Sequence, residues 1–298
     1  MTEISEDPTL AIDIGGTKVA IAIALVAAGR IWERRQIATP RTGKGADLVA
    51  AIAREIGAVE PARRIAIATT GVVCEGSLTA LNPKTLSIEN DFPLAAAMRR
   101  ATGTFPLVVN DAQAAAWGEY RYGAGRGCKA FAFVTVSTGV GAGIVVDGRL
   151  AVGRTGLAGH LGHVVADRNG PWCGCGRRGC LETLVSGSAL AHRGSSLLGR
   201  VVTAPEIFKE AEAGNADARA LLNQAAEYLA TAFGDLAAIC DVDRIALGGG
   251  VGLASGFMDP VRVAMRNLPT KFERELFLAV GGADAGLLGA ADLTKHPL

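Results

Sequence analysis

The sequence predicts an α/β protein built from two related lobes. Buried-type strands alternate with stretches of helical spacing along the chain. A strand–glycine turn–strand unit occurs twice, as DIGGTKVAIAIA from residue 13 and as VSTGVGAGIVVD from residue 136. The 39 glycines among 298 residues sit at tight turns between apolar runs, not in low-complexity tracts.

In chain order, LAIDIGG and KVAIAIAL are two strands joined by a glycine turn, and IWERRQIATP is a third ended by Pro40. Residues 44–58 have helical spacing, and RIAIATTG (64–71) is a buried strand. A helix spans 91–103, FPLVVND is a strand, and AQAAAWGEYRYG is a helix that starts after Asp111. The second cycle, 129–150, repeats strand, turn and strand. Helices follow at 181–192, 204–213 and 215–240. RIALGGG (244–250) is a strand running into glycines, followed by a helix at 257–268, a strand at 275–280 and a helix from 285. The lobes divide as 1–112 with 285–298, and 113–284, the second carrying a cysteine-rich loop at 160–182.

Thirty basic residues against 29 acidic ones leave a formal charge of +1, with no basic footprint for nucleic acid. Arg177-Arg178 reads as a solvated turn. The longest apolar run, VAIAIALVAA (19–28), is shorter than the roughly 18–20 residues of a membrane span and reads as a strand. MTEISEDP at the N-terminus is polar and acidic, unlike a secretion signal. The expected compartment is the cytoplasm, where six cysteines imply metal ligands or free thiols rather than disulfides.

His163, Cys173, Cys175 and Cys180 form H-x9-C-x-C-x4-C. Four ligands of this type at short spacing suit a closed tetrahedral zinc site, structural rather than catalytic. The alternative is three thiols in a glycine-rich loop. Cys74, Cys128 and Cys240 read as ordinary thiols.

In DIGGTK a carboxylate ends a strand, two glycines let backbone N–H groups face a phosphate, and a hydroxyl and a lysine follow. Asp13 is suited to Mg²⁺, which prefers oxygen ligands. The GxxxxGK[ST] loop is missing, and GVGAG runs into a strand rather than a helix. Alone, DIGGT could be a plain hairpin turn. STGVGAG (137–143) and LGGGVG (247–252) supply two further glycine turns, and three such strand ends can surround one nucleotide. Asp111, after the strand FPLVVN, is either a helix N-cap or a proton acceptor.

DIGGT, STGxGxG and the late GGG resemble the phosphate-1, phosphate-2 and adenosine segments of the actin-like ATPase, ribonuclease-H-like fold of sugar kinases. LAGHLGH and CGCGRRGCLE are similar to the signature of the ROK family, which includes sugar kinases and repressors. The likeness runs from residue 11 to beyond 250. It implies two lobes closing a cleft on Mg-ATP and a sugar, a structural zinc, and a homodimer; the balanced charge and the short apolar runs add the expectation of no nucleic-acid or membrane partner. Carried onto this chain, it places ATP and Mg²⁺ on Asp13, Gly15, Gly16, Thr17, Lys18, Thr138, Gly139, Gly141, Gly249 and Gly250. It places the sugar on Asn110, Asp111, His160, His163, Glu182 and Gly71, with Thr70 and Asn82 as weaker candidates. Asp111 becomes the catalytic base and His163, Cys173, Cys175 and Cys180 the zinc ligands. Without the resemblance, the alternative for Glu182 is an exposed acid in a first helical turn.

Many family glucokinases carry GExGH where this chain has GHLGH, so His160 departs from the glucose pattern. NDAQAAAWGEY, GLAGHLGH and DRNGPWCGCGR resemble most the bacterial branch that phosphorylates the 6-hydroxyl of N-acetylmannosamine in sialic acid breakdown. Glucose or another hexose is the alternative substrate. A sugar-responsive regulator is the alternative of another class; it is disfavoured because only about ten residues precede the first strand, too few for a helix-turn-helix domain. The zinc loop is expected to order one wall of the sugar site.

Overall fold

The computed structural model describes residues 8–57, 63–83 and 85–296; the acidic stretch 1–7 lies outside them. Two compact units emerge, Met1–Gly123 with Arg149–Ala158 and Ala283–Leu298, and Ala124–Gly148 with Gly159–Gly282.

The first unit opens with β1 (Thr9–Ile14), β2 (Lys18–Leu25) and β3 (Arg30–Ala38), then α1 (Gly45–Ile56) and β4 (Arg64–Thr69). A hairpin of β5 (Val72–Cys74) and β6 (Ser77–Thr79) precedes α2 (Leu94–Thr102), β7 (Leu107–Asn110) and α3 (Asp111–Tyr122). The sheet order is β3-β2-β1-β4-β7, with β1 antiparallel to β2 and parallel to β4, and β4 parallel to β7. Alternation sorts its two faces. Ile12, Ile14, Val19, Ile21 and Ile67 join Leu48 and Ile52 of α1 and Leu94 and Met98 of α2 in one core. Fully burying each such side chain contributes about 1.5–3 kcal/mol. On the opposite face β1 and β2 contribute Ala11, Ala20, Ala22 and Ala24 to a second, smaller cluster.

In the second unit come β8 (Ala130–Val136) and β9 (Val140–Val146). The chain then returns briefly to the first unit with β10 (Arg149–Leu150). Next are α4 (Glu182–Val185), α5 (Gly187–Leu198), α6 (Ala204–Glu212), α7 (Ala216–Cys240), β11 (Arg244–Gly248), α8 (Gly249–Gly252), α9 (Met258–Arg266) and β12 (Glu275–Leu278). Its strands run β9-β8-β11-β12, the last three mutually parallel. α7 packs against α5, α6 and α9. None of the helices among the described residues is long and apolar enough to cross a membrane.

The closing helix, α10 (Ala285–Leu293), belongs to the first unit and lies along α3. The approach is so close that a Cβ on Gly289 would stand 1.9 Å from the Ala114 carbonyl oxygen, and one on Gly118 2.3 Å from that of Ala285. Leu287 and Ala291 of α10 cover the alanine face of the sheet. Asp292, fully buried, accepts from Trp117 Nε1 (2.7 Å) and from the Tyr122 hydroxyl, and pairs with Arg121 (3.3 Å). This lock carries α3 into the first unit, so the division falls after Gly123 rather than at 112.

Three local expectations change. The helix expected over 181–192 is broken at Ser186, whose extended backbone ends α4 and whose hydroxyl caps α5 by accepting from Ala189 N–H. Gly249 and Gly250 open the short helix α8 rather than lying in a loop. The β5–β6 hairpin, turned by Glu75 and Gly76 in left-handed conformations, has no counterpart in the sequence reading.

Candidate functional site

In the first unit the parallel strands place three carboxyl ends side by side: Ile14 opposite Thr69, and Thr69 opposite Asn110. Ligands of open α/β sheets bind at such ends. The turn 15–17 is tied internally, Gly15 N–H donating to Lys18 O (3.0 Å) and Thr39 Oγ1 to Gly15 O (2.7 Å). A Cβ on Gly16 would stand 2.1 Å from the Thr85 carbonyl oxygen, so only glycine fits. Thr17 and Lys18 are exposed at the tip.

Asn110, not Asp111, caps α3. Its Oδ1 accepts from Ala112 N–H (3.0 Å) and Gln113 N–H (3.1 Å), and its Nδ2 donates to Gly71 O (2.9 Å). Gly71 has φ +103, and a Cβ there would meet Thr79 O at 2.7 Å. The N-cap alternative for Asp111 is therefore corrected: Asp111 is the first residue of α3, and its Oδ1 accepts from Ala112 N–H (2.7 Å), an amide that Asn110 also holds. A carboxylate at this position is favoured by the helix dipole.

Asp13 shares the sheet face of Ala11. Burial pushes its carboxyl up to about 7, the nearby Asp111 charge adds to the rise, and Arg34 and Lys18 oppose it. Arg34, opposite Ala22 on β3, also donates to Asp284 Oδ1 (2.8 Å). The sequence reading missed Arg34; an arginine placed across from an alanine face was its signal.

The β8–β9 turn in the second unit is anchored from two sides. Ser137 N–H donates to Gly139 O (2.9 Å), while Gly187 N–H at the start of α5 donates to Ser137 O (2.7 Å). Gly249, at φ +82, lies so near that a Cβ would stand 2.4 Å from Val136 O. Thr138, Gly139 and Gly249 are thus brought together at the ends of β8 and β11, with Gly250 next in α8, while Gly141 lies inside the β8–β9 ladder opposite Thr135.

Glu182 joins the same turn. Its Oε2 accepts from Val140 N–H (3.0 Å) and would meet a Cβ on Gly139 at 2.5 Å. It is half-buried, so the exposed-acid alternative is corrected. His160 and His163 flank a short helical turn with near-parallel rings, centroids 6.4 Å apart. That turn abuts β9: a Cβ on Gly162 would lie 2.1 Å from Val140 O.

One ligand atom from each of His163, Cys173, Cys175 and Cys180 lies within 4.8 Å of every other. Cys175 Sγ and Cys180 Sγ are 3.7 Å apart, and Cys173 Sγ is 3.6 Å from His163 Nδ1. Sulfurs around a tetrahedral zinc stand about 3.7 Å apart, so the donor set fits such an ion. Burial lowers the His163 imidazole, against the pull of Glu182, which keeps a ring nitrogen available as a ligand. Burial raises the Cys173 thiol and pushes Cys180 up to about 12, so metal capture releases protons. Cys74, Cys128 and Cys240 are free, half-buried thiols.

The family model described as ROK family matches residues 9–296. An N-acetylmannosamine kinase of Citrobacter koseri is 44% identical over 291 residues, 96% of this chain and 98% of that protein. The crystal structure of a ROK hexokinase from Thermus thermophilus has a TM-score of 0.83 at 32% identity, covering 95% of this chain and 96% of that one. A ROK family glucokinase from Streptomyces griseus, in complex with glucose and AMPPNP, gives 0.82 at 31% identity, covering 97% and 99%. ROK sugar kinases have the two-lobed actin-like ATPase fold, and with the family model matched along nearly the whole sequence, the chain belongs to the ROK family.

Proposed function

We propose that the protein is an ATP-dependent kinase that transfers the γ-phosphoryl group to the 6-hydroxyl of N-acetylmannosamine. The observation that carries this reading is the 44% identity to an N-acetylmannosamine kinase along 96% of the chain. Phosphoryl transfer needs positioning, charge neutralisation and an acceptor for the hydroxyl proton. Asp111 accepts the proton of the 6-hydroxyl as its oxygen attacks phosphorus. Asn110 presents its remaining amide hydrogen to the sugar, since Oδ1 and one Nδ2 hydrogen already fix the helix and Gly71. His160, Glu182 and the Nε2 of His163 serve the other hydroxyls, with Nδ1 turned to the sulfurs. The turns at Gly15–Lys18, Thr138–Gly139 and Gly249–Gly250 offer backbone N–H groups to ATP. Zinc, on His163, Cys173, Cys175 and Cys180, has four protein ligands and so a structural role. Family kinship supports a homodimer, and the balanced charge supports a cytoplasmic protein without nucleic-acid partners.

Mg²⁺ fits Asp13: two carboxylates that repel each other, partly balanced by Arg34, favour a hard cation. When bound, Mg²⁺ neutralises phosphate charge. Asp13 must lose its proton to bind it. Because its carboxyl is raised to about 7, the protonated form gains as pH falls through 7. Apparent Mg²⁺ affinity should therefore weaken below pH 7, approaching about tenfold per pH unit, and Asp13→Asn should flatten that dependence. A magnesium titration of activity at pH 6, 7 and 8 checks it; identical half-saturation at all three removes Asp13 from the cation site.

The Streptomyces griseus glucokinase, matched along 97% of this chain, supports glucose as the second substrate reading. ADP release with N-acetylmannosamine, glucose, N-acetylglucosamine and fructose tests both. Expected is a kcat/KM at least about tenfold higher for N-acetylmannosamine than for glucose; a preference for glucose overturns the first reading.

A further inference from the structure

We propose that Gln113 is a positioning residue for sugar selection, holding the 156–158 stretch that leads into His160. This rests on the kinase reading above. Gln113 lies two residues beyond Asp111 in α3, among Ala112, Ala114, Ala115 and Ala116, and is 2% exposed. Its Nε2 donates to Gly156 O (3.2 Å) and to Ala158 O (2.7 Å). Both amide hydrogens thus go to carbonyls two residues apart in a segment without helix or strand. An apolar side chain here would leave two carbonyls without these donors, a substantial cost wherever they stay away from water.

The segment has little room to adjust. Gly156 is at φ +78, where a Cβ would stand 1.9 Å from Val73 O. Ala158 N–H donates to Val152 O (3.3 Å). Gly159, at φ +83, would bring a Cβ within 2.8 Å of Ala142 O. Glycines fix where the backbone passes, and the Gln113 amide fixes how its carbonyls face. His160 follows Ala158 by two residues along the chain, so the Gln113 amide holds the last stretch before His160. A buried amide that served stability alone would have no bearing on which sugar is chosen.

The test is Gln113→Met, which keeps the length and removes the N–H donors. Expected are a KM for N-acetylmannosamine raised about tenfold, a KM for ATP and a kcat within about twofold of wild type, and a roughly tenfold loss of preference over glucose. A lower thermal midpoint with unchanged sugar KM, or equal losses toward both sugars, overturns the proposal. If Gln113→Met does not fold, Gln113→Asn keeps the amide but draws it back by one methylene and must shift the same preference; unchanged preference there is also fatal. Calorimetric binding of N-acetylmannosamine runs in parallel. Wild type that binds the sugar without turnover counts against the kinase reading alone, whereas Gln113→Met that binds as tightly as wild type removes the positioning role.

Discussion

Asp111→Asn is expected to lower kcat by roughly 10²–10⁴-fold, the range general-base catalysis contributes, with circular dichroism and thermal midpoint unchanged. Activity and fold separate here because the helix cap is Asn110, which holds the Ala112 and Gln113 amides through its own side chain. Removing the Asp111 charge also removes the smaller of the two causes that raise the Asp13 carboxyl, burial being the larger. Asn110→Ala makes the contrast: it strips the cap and the Gly71 link, and should cost about 0.5–2 kcal/mol of stability for the cap alone. Steady-state kinetics beside thermal unfolding read both variants. An Asp111→Asn enzyme within tenfold of wild-type kcat would assign the proton to another group.

The second large effect concerns the cysteine loop. Extraction of zinc with a chelator should weaken N-acetylmannosamine binding before the protein unfolds, and Cys173→Ser or Cys180→Ser should reproduce the loss. The reason is mechanical: His163 belongs both to the ligand set and to the short turn packed on β9 that starts at His160. Structural zinc in small peptides contributes apparent free energies of about 10–16 kcal/mol, enough to organise a loop that otherwise depends on glycines and backbone turns. Elemental zinc per chain, sugar affinity by calorimetry and helical content are measured along the same chelation series. Full zinc loss with unaltered sugar affinity would detach the loop from the sugar site.

Much of this was legible in the residues. Both hairpins were visible because apolar runs met at glycines, and Ile14 and Asn110 end strands where the sequence placed strand ends. The cysteine cluster was legible because its ligands are close in sequence and the glycines between them permit close return. What escaped depends on contacts distant along the chain. β5 and β6 are three residues each, too short for a periodic signal. Ser186 breaks a helix that local spacing favours, because its hydroxyl caps the next one. The partner of Glu182, the Val140 amide, lies 42 positions away. Arg34 reaches across 250 positions to Asp284. Local pattern reveals which residues end elements; it does not reveal that Asn110 takes the N-cap position while Asp111, which shares the Ala112 amide, opens the helix.

The lock between α3 and α10 bears on biosynthesis. The ribosome releases the alanine-lined side of the first sheet, together with the indole of Trp117, long before it makes the helix that shields them. All of the second unit emerges in between. The earlier-made part must therefore wait, incompletely covered, and its maturation is timed by the emergence of α10.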